Sequence, residues 1–374
     1  MLIGNQSWVF ESKPVITSTG TVGGPFEANG AIPEAFDLLH DDLWIGEKSY
    51  EKAQSILVEG AITTALKKGS IKKEDVSFML AGDLVNQLTP SSFAGRSLTI
   101  PYLGLFGACS TSMEGLAIGS LIMESKGAHH IVSVASSHNA ATEKQFRYPT
   151  EYGGQKPPTA QWTATAAGAC VLSKTGEGPR VTGATIGKIV DMGLSDPFNM
   201  GGAMAPAAAD TIEKHFKDFN RGPDDYDLIV TGDLGQIGLP ICRELLKQKG
   251  YELGHEVFQD CGLMLYKESQ PVLAGASGPG CSAVVTYGHL LEKIKKGELK
   301  RLLVVATGAL LSPLSFQQKE SIPCIAHAVV IEANGACHDL FMGISYWWCN
   351  LRDWTAFNGC WQANTCTYHV CFSR

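Results

Sequence analysis

Cys109 stands in the run Gly107-Ala108-Cys109-Ser110-Thr111-Ser112-Met113-Glu114-Gly115, between an apolar strand-like stretch and a helix-like one. A thiol at that junction is where an acyl-transfer enzyme mounts its nucleophile, because the N–H groups that open a helix favour the thiolate. Ser110, Thr111 and Ser112 are residue types that begin helices. A second concentration of chemistry lies between Ser136 and Lys156. It holds His138, Asn139, Lys144, Arg147, Tyr148, Tyr152, Gln155 and Lys156, hydrogen-bond donors interleaved with aromatic rings. Arg147 offers a planar fork suited to a carboxylate. Each charge taken alone reads as a solvated loop residue. It is their density that marks the segment.

Repeated elements must position these residues. "DVSFMLAGDLVNQ" (Asp75–Gln87) and "YDLIVTGDLGQ" (Tyr226–Gln236) are both apolar runs ending in Gly-Asp-Leu. A helical pattern precedes each, with Ile56, Leu57, Ile62, Ala65 and Leu66 on one face in the first and "AADTIEKHFKDF" in the second. Each is followed by a Gly-rich turn, a helical stretch and another buried strand, His129–Ser137 or Arg301–Ala309. Strands alternating with helices at this spacing predict parallel βαβ units, and the repetition predicts two similar halves about a pseudo-twofold axis. Ligands of such sheets bind beyond the carboxyl ends of the strands. Asp83, Asp233, Cys109, His138 and the Gly278–Cys281 turn all fall at such ends and are candidates for one cleft. Asp83 and Asp233 read equally as caps of the helices that follow them.

The 374 residues carry a formal net charge of −7, which gives no footprint for nucleic acid. No signal peptide and no apolar run of about 18 residues appears, so the body is expected in the cytosol, free to dock on a membrane. Six cysteines (109, 170, 242, 261, 281, 324) are scattered without metal-like spacing and are expected to be reduced and mostly buried. Five more crowd residues 333–374, with four of the seven tryptophans. There neither helical nor strand periodicity lasts, and His338 and His369 sit at no recognised zinc spacing. Permissive back-translation read one base later yields a methionine followed by an apolar, membrane-like segment. Residues 333–374 are therefore expected to be an out-of-frame reading or disordered, and they are set aside from the fold.

The body resembles the thiolase and ketoacyl-synthase superfamily, and within it a non-metabolic branch, the stage V sporulation protein AD family. The strings that carry this are "WVFES" (Trp8–Ser12), "FMLAGDLVNQ", "PYLGLFGACSTSMEGLA", "SSHNAATEKQFRYPTEYGGQKPPTAQWTATAAGACVLS" and "CIAHAVVIE" (Cys324–Glu332). The resemblance runs from about residue 5 to Glu332. It implies an α/β, thiolase-like five-layer αβαβα fold made of two duplicated βαβ-rich halves. Their expected bounds are 1–175 and 176–332, with 333–374 as the atypical tail. Condensing chemistry needs His/His or His/Asn to polarise a thioester carbonyl. Where ketoacyl synthases place the first histidine this chain reads "GDLGQIGLP". Where they place the second group it reads "GASGPGCSAVV", setting Gly280 or Cys281 opposite Cys109. "CIAHAVVIE" resembles the closing thiolase strand, whose cysteine is an acid/base. The Gly-rich loop after it is absent, and His327 reads as a core histidine.

The resemblance thus implies a catalytically degenerate protein, with no cofactor, that binds pyridine-2,6-dicarboxylate (dipicolinate) or its calcium chelate. It would serve uptake into the developing spore, peripheral at the inner forespore membrane, with other stage V sporulation membrane proteins and as a homodimer. The expected ligand residues are Cys109 as a vestigial nucleophile, His138, Asn139, Glu143, Lys144, Arg147, Tyr152, Gln155, Lys156 and Asp233. No resident metal is expected. Glu143, Glu151, Asp83 and Asp233 are the oxygen donors open to a calcium ion carried with the ligand. The rival readings are an acyl-carrier or acyl-CoA acyltransferase or condensing enzyme using Cys109, and a docking scaffold without a ligand.

Overall fold

The computed structural model describes residues 1–146 and 156–335. The expectation for 333–374 falls outside them beyond residue 335, as does that for Arg147, Tyr148, Glu151, Tyr152 and Gln155.

Ten strands form the frame. In the first half they are β1 (Val15–Gly23), β2 (Phe78–Gly82), β3 (Tyr102–Gly104), β4 (His130–Ser137) and β5 (Ala166–Ser173). In the second they are β6 (Arg180–Ile186), β7 (Leu228–Thr231), β8 (Phe258–Asp260), β9 (Arg301–Ala309) and β10 (Cys324–Glu332). The first five run in the order β1-β5-β4-β2-β3 and the second five in the order β6-β10-β9-β7-β8. In each the first two pairings are antiparallel and the last two parallel. Order and sense are the same, so the halves are duplicates in topology. The two sheets meet at the Arg180–Val15 pair.

Seven helices complete the layers: α1 (Tyr50–Lys68), α2 (Thr89–Leu98), α3 (Thr111–Glu124), α4 (Asn139–Phe146), α5 (Met200–Phe219), α6 (Gly235–Gln248) and α7 (Pro279–Val284). Local chemistry starts the long ones. Ser49 accepts from the Lys52 N–H at the head of α1, and Asn199 from the Gly202 N–H at the head of α5. On α1, Leu57, Ile62, Ala65 and Leu66 are buried as expected, while Ile56 is half-buried.

Strand parity shows the stacking. Met79, Ala81, Val132, Val134, Ala169 and Val171 face α1, whereas Leu80, Ile131, Ala135, Cys170 and Leu172 face a central layer containing Met113 and Leu116 of α3. In the second sheet Ile229, Leu303, Val305, Ala328 and Val330 face α5, and Val230, Leu302, Val304, Val329 and Ile331 face the same centre. Alternate residues therefore serve opposite faces, and both faces are covered. The result is helix, sheet, paired helices, sheet, helix. α7 lies so close to β5 that a Cβ on Gly168 would come within 2.8 Å of the Ala283 backbone. Beyond Val284 the helix widens to a π turn over Val285–Leu290. No helix among the described residues is long and apolar enough to cross a membrane. The six body cysteines are buried free thiols.

A short parallel ladder has functional weight. Trp162 pairs with Ala276 and Thr163 with Ser277, tying a segment of the first half to the turn that opens α7.

Candidate functional site

After β3 the chain turns through Ala108, whose φ of +49° is left-handed, and Cys109 sits in the short turn that runs into α3. This is the sharp strand-to-helix bend expected of a mounted nucleophile. Gly308 at the end of β9 packs against it, since a Cβ there would lie 2.4 Å from the Gly107 carbonyl. The Cys109 side chain is buried at 6 % exposure, with Sγ 4.0 Å from Ser277 Oγ.

The charged neighbour of the thiol is Asp233. Its fully buried carboxyl accepts from Ser277 Oγ (2.9 Å), the Gly278 N–H (3.0 Å) and Thr307 Oγ1 (2.7 Å), and it is in hydrogen-bond contact with Cys109. Burial, then the charge of Asp233, push the Cys109 thiol well above its ordinary value. Burial likewise raises Asp233 itself. An adjacent carboxylate and a dry setting outweigh whatever the start of α3 contributes to a thiolate. Cys109 is held as a thiol.

The two Gly-Asp-Leu motifs have parted in role. Asp83 accepts from the Val85 N–H (2.8 Å) and from the Ser91 N–H and hydroxyl (3.0 and 2.5 Å), closing the turn that leads into α2. Burial pushes it up to about 6. In the second half that service falls to Asp260, at the end of β8. It accepts from Thr231 Oγ1 (2.7 Å) and from the Leu234 and Gly235 N–H groups (2.8 and 3.0 Å) at the head of α6. Burial, with Asp233 adding, lifts it to about 6. Asp233 is thereby released to the centre.

Ser277 and Gly278 are what the α7 turn presents to Cys109 and Asp233. Gly278 has a φ of +100°, and a Cβ there would meet Ser137 Oγ at 2.6 Å, so the turn needs glycine on both counts. Gly280 packs on the Ala166 carbonyl, and the Cys281 thiol points to the Gly232 carbonyl. His327 is a strand residue whose Nδ1 accepts from the Gly187 N–H (3.3 Å), and burial pushes it down to about 4.

The donor-rich segment divides in two. His138 is fully buried; Nε2–H donates to the Leu43 carbonyl (2.9 Å) and Nδ1 accepts from the Ala141 N–H (3.3 Å). That pair of bonds selects the neutral tautomer, and burial lowers its pKa. Its ring continues a stack through Tyr50 to Trp44. Lys144 pairs with Glu51 at 2.7 Å on the same side. Asn139 turns the other way, its amide donating to the Thr163 carbonyl (3.2 Å) beside the ladder. Lys156 pairs with Glu143 (2.6 Å), and its ammonium lies 5.1 Å from the Trp162 ring centre. Trp162 stacks on Phe26 at 4.7 Å, with Tyr266 edge-on to Phe26. Beneath them the buried Glu27 accepts from the Thr165 N–H (2.9 Å) and the Tyr266 hydroxyl. Trp162 Nε1, Gln161 Oε1 and Glu27 Oε2 are buried without hydrogen-bond partners.

Cys109 and Asp233 thus share one centre, and Asn139, Glu143 and Lys156 border the segment laddered to it. His138 and Lys144 are engaged with residues 43–51. Ser277, Thr307, Asp260, Phe26, Trp162 and Tyr266 were not legible as site residues. Of these only "QWTAT" gave a local hint, an aromatic beside the donor cluster. Among the described residues no three His, Cys, Asp or Glu side chains converge as a metal site. A separate open cleft of about 400 Å³ lies between Thr19, Asp37 and Lys68 and the helix bearing His289 and Lys293, away from Cys109.

Residues 4–332 match the family model for stage V sporulation protein AD (SpoVAD). The chain is 52% identical over 334 residues to stage V sporulation protein AD of Bacillus subtilis (strain 168), covering 89% of this chain and 98% of that one. Solved structures with the same fold include 3-oxoacyl-[acyl-carrier-protein] synthase III from Aquifex aeolicus VF5, at TM-score 0.51 and 12% identity over 85% of this chain and 99% of that one. A cerulenin-bound variant of Xanthomonas campestris OleA superposes at TM-score 0.55 and 15% identity, over 86% and 97% of the two chains. At such identities these enzymes speak for the thiolase-like fold alone.

Proposed function

The chain belongs to the stage V sporulation protein AD family, and on that premise we propose that it is a non-catalytic binding protein for dipicolinate or its calcium chelate, serving uptake of that ligand into the developing spore. The observation that carries this reading is the ladder of Trp162–Thr163 with Ala276–Ser277. It ties the segment that carries an aromatic ledge, Trp162 on Phe26 with the Lys156 ammonium above it, to the backbone segment whose Ser277 hydroxyl reaches the thiol of Cys109. A flat dicarboxylate needs an apolar wall for its ring and donors at both ends. Asp233 supports the non-catalytic half of the reading, because a carboxyl against Cys109 opposes the thiolate that acyl transfer requires.

Calorimetry with dipicolinate, with and without calcium, is expected to give saturable heat. Trp162→Ala should weaken binding by about tenfold or more, as loss of a stacked anchor does. Absence of any heat at millimolar ligand in both arms refutes the reading. The left-handed bend at Ala108 favours the rival, an acyltransferase. Rapid acylation of Cys109 by an acyl-CoA, lost in Cys109→Ala, would establish it.

The membrane location and partners proposed for the family role would act through this body's surface. A homodimer would pair through β3, the edge strand of the first sheet, where Leu103 and Phe106 stand 45% and 66% exposed. Sedimentation of the wild type and of Phe106→Glu tests that pairing.

A further inference from the structure

The charges buried around this site are of one sign. Asp233 lies close enough to Asp260 to raise it, and both are fully enclosed. Glu27 lies buried under the Phe26–Trp162 ledge, with Oε2 unpartnered. No lysine or arginine among the described residues is buried. The nearest cation on the ledge, Lys156, is already matched by Glu143. A dianionic ligand that takes a hydrogen bond from Ser277 therefore meets the Asp233 carboxyl, with no buried cation to offset it. Like charges this close in a site of low dielectric drive one of them neutral unless a cation enters too.

We infer that a dianionic ligand enters this site charge-compensated, with about one proton taken up on Asp233 when no divalent cation accompanies it. The inference rests on the proposed binding reading and names how that binding is regulated. The geometry supplies a route. Ser277 Oγ now donates to Asp233 Oδ2. Once Asp233 gains a proton from solvent, its carboxyl can donate to Ser277 Oγ, and that hydroxyl, free to rotate, can donate to the ligand. No other bond forms or breaks. The titratable groups facing Asp233 offer no positive charge instead. They are the thiols of Cys109, Cys261, Cys281 and Cys324, from the turns and strands packed on it, and the carboxyl of Asp260. Thr307 and the Gly278 N–H complete its surroundings.

The test is titration calorimetry of the full chain with sodium dipicolinate and EDTA at neutral pH, in buffers of different ionisation enthalpy. The heat should vary with buffer enthalpy by a slope of about one proton per ligand, and Kd should fall as the pH is lowered through neutral. With calcium present the slope should approach zero. In Asp233→Asn the slope without calcium should also approach zero. The wild-type slopes stand by themselves should that variant fail to fold. Saturable heat with zero slope in EDTA overturns the inference and leaves the binding reading intact. No heat in either arm overturns both.

Discussion

A cysteine at the start of a helix is ordinarily an acidified one, and the bend through Ala108 would serve a nucleophile well. Here burial, with the neighbouring charge adding to it, decides otherwise. Asp233 is buried against the thiol, with three donors from Ser277, Gly278 and Thr307 fixing its place. Replacing it by Asn removes the opposing charge at nearly constant volume. The Cys109 thiol in Asp233→Asn should then titrate lower, and its alkylation by iodoacetamide near pH 8 should quicken by about tenfold. Peptide mass analysis reads this, with the buried Cys170, held up to about 12, as the internal reference. An unchanged rate would assign the raised Cys109 thiol to burial alone. The same residue-level logic separates the two histidines that sequence singles out. His138 and His327 each have a ring nitrogen accepting from a backbone N–H, a neutral structural state rather than an acid/base in waiting.

Among the elements, the central helices do most to hold the site. α3 carries Cys109 at its head, α7 follows the Ser277–Gly278 turn, and both lie between two sheets whose alternate residues pack on them. Close approach depends on residues without side chains. Gly168 on β5 is the clearest, for an added methyl would sit 2.8 Å from the Ala283 backbone in α7. Neither strand nor helix can yield there alone. Gly168→Ala is expected to destabilise the protein by about 1–3 kcal/mol, the usual cost of overpacking, in urea unfolding followed by circular dichroism. A change within about 0.5 kcal/mol, the range of an ordinary surface substitution, would mean that the contact relaxes freely. The Trp162–Ser277 ladder is the other decisive element. It is two residues long, and no propensity marks it.

For the whole molecule, buried titratable groups set the response to acid, and they oppose one another. His215 is enclosed, with Nδ1 bonded to Thr185 Oγ1 and Nε2 to the Tyr226 hydroxyl, each at 2.7 Å, and burial takes it down to about 3. Its unfolded form binds a proton first as pH falls below about 6.5, so it costs stability between there and about 3, by about 1.4 kcal/mol per pH unit. Asp83 and Asp260, raised to about 6, act in the other sense. The folded state binds their protons first, so their contribution grows as pH falls from about 6 towards about 4. The histidine effect is therefore read as a difference. Between pH 7 and 5 the stability of His215→Gln should fall less steeply than that of the wild type, by about 2 kcal/mol over the interval below 6.5. Parallel curves for the two proteins would contradict the assignment.

Much of this architecture was legible along the chain. Gly-Asp-Leu after each apolar run, helical periodicity before it and a second buried strand after it announced two like halves, because strand and helix patterns are written within a few residues. The cysteine bend was legible for the same reason, as was the resemblance of its long, irregular downstream segment. What the tertiary structure alone decided is who meets whom. Cys109 and Ser277 are 168 residues apart in sequence, and Thr307 reaches Asp233 across 74. The two Gly-Asp-Leu carboxyls are identical in local sequence. One caps a helix and the other holds a thiol, because Asp260 comes in on a neighbouring strand to take the cap. Local pattern specifies backbone conformation, whereas the charge state of a buried group depends on distant neighbours and on the loss of water, which only packing creates.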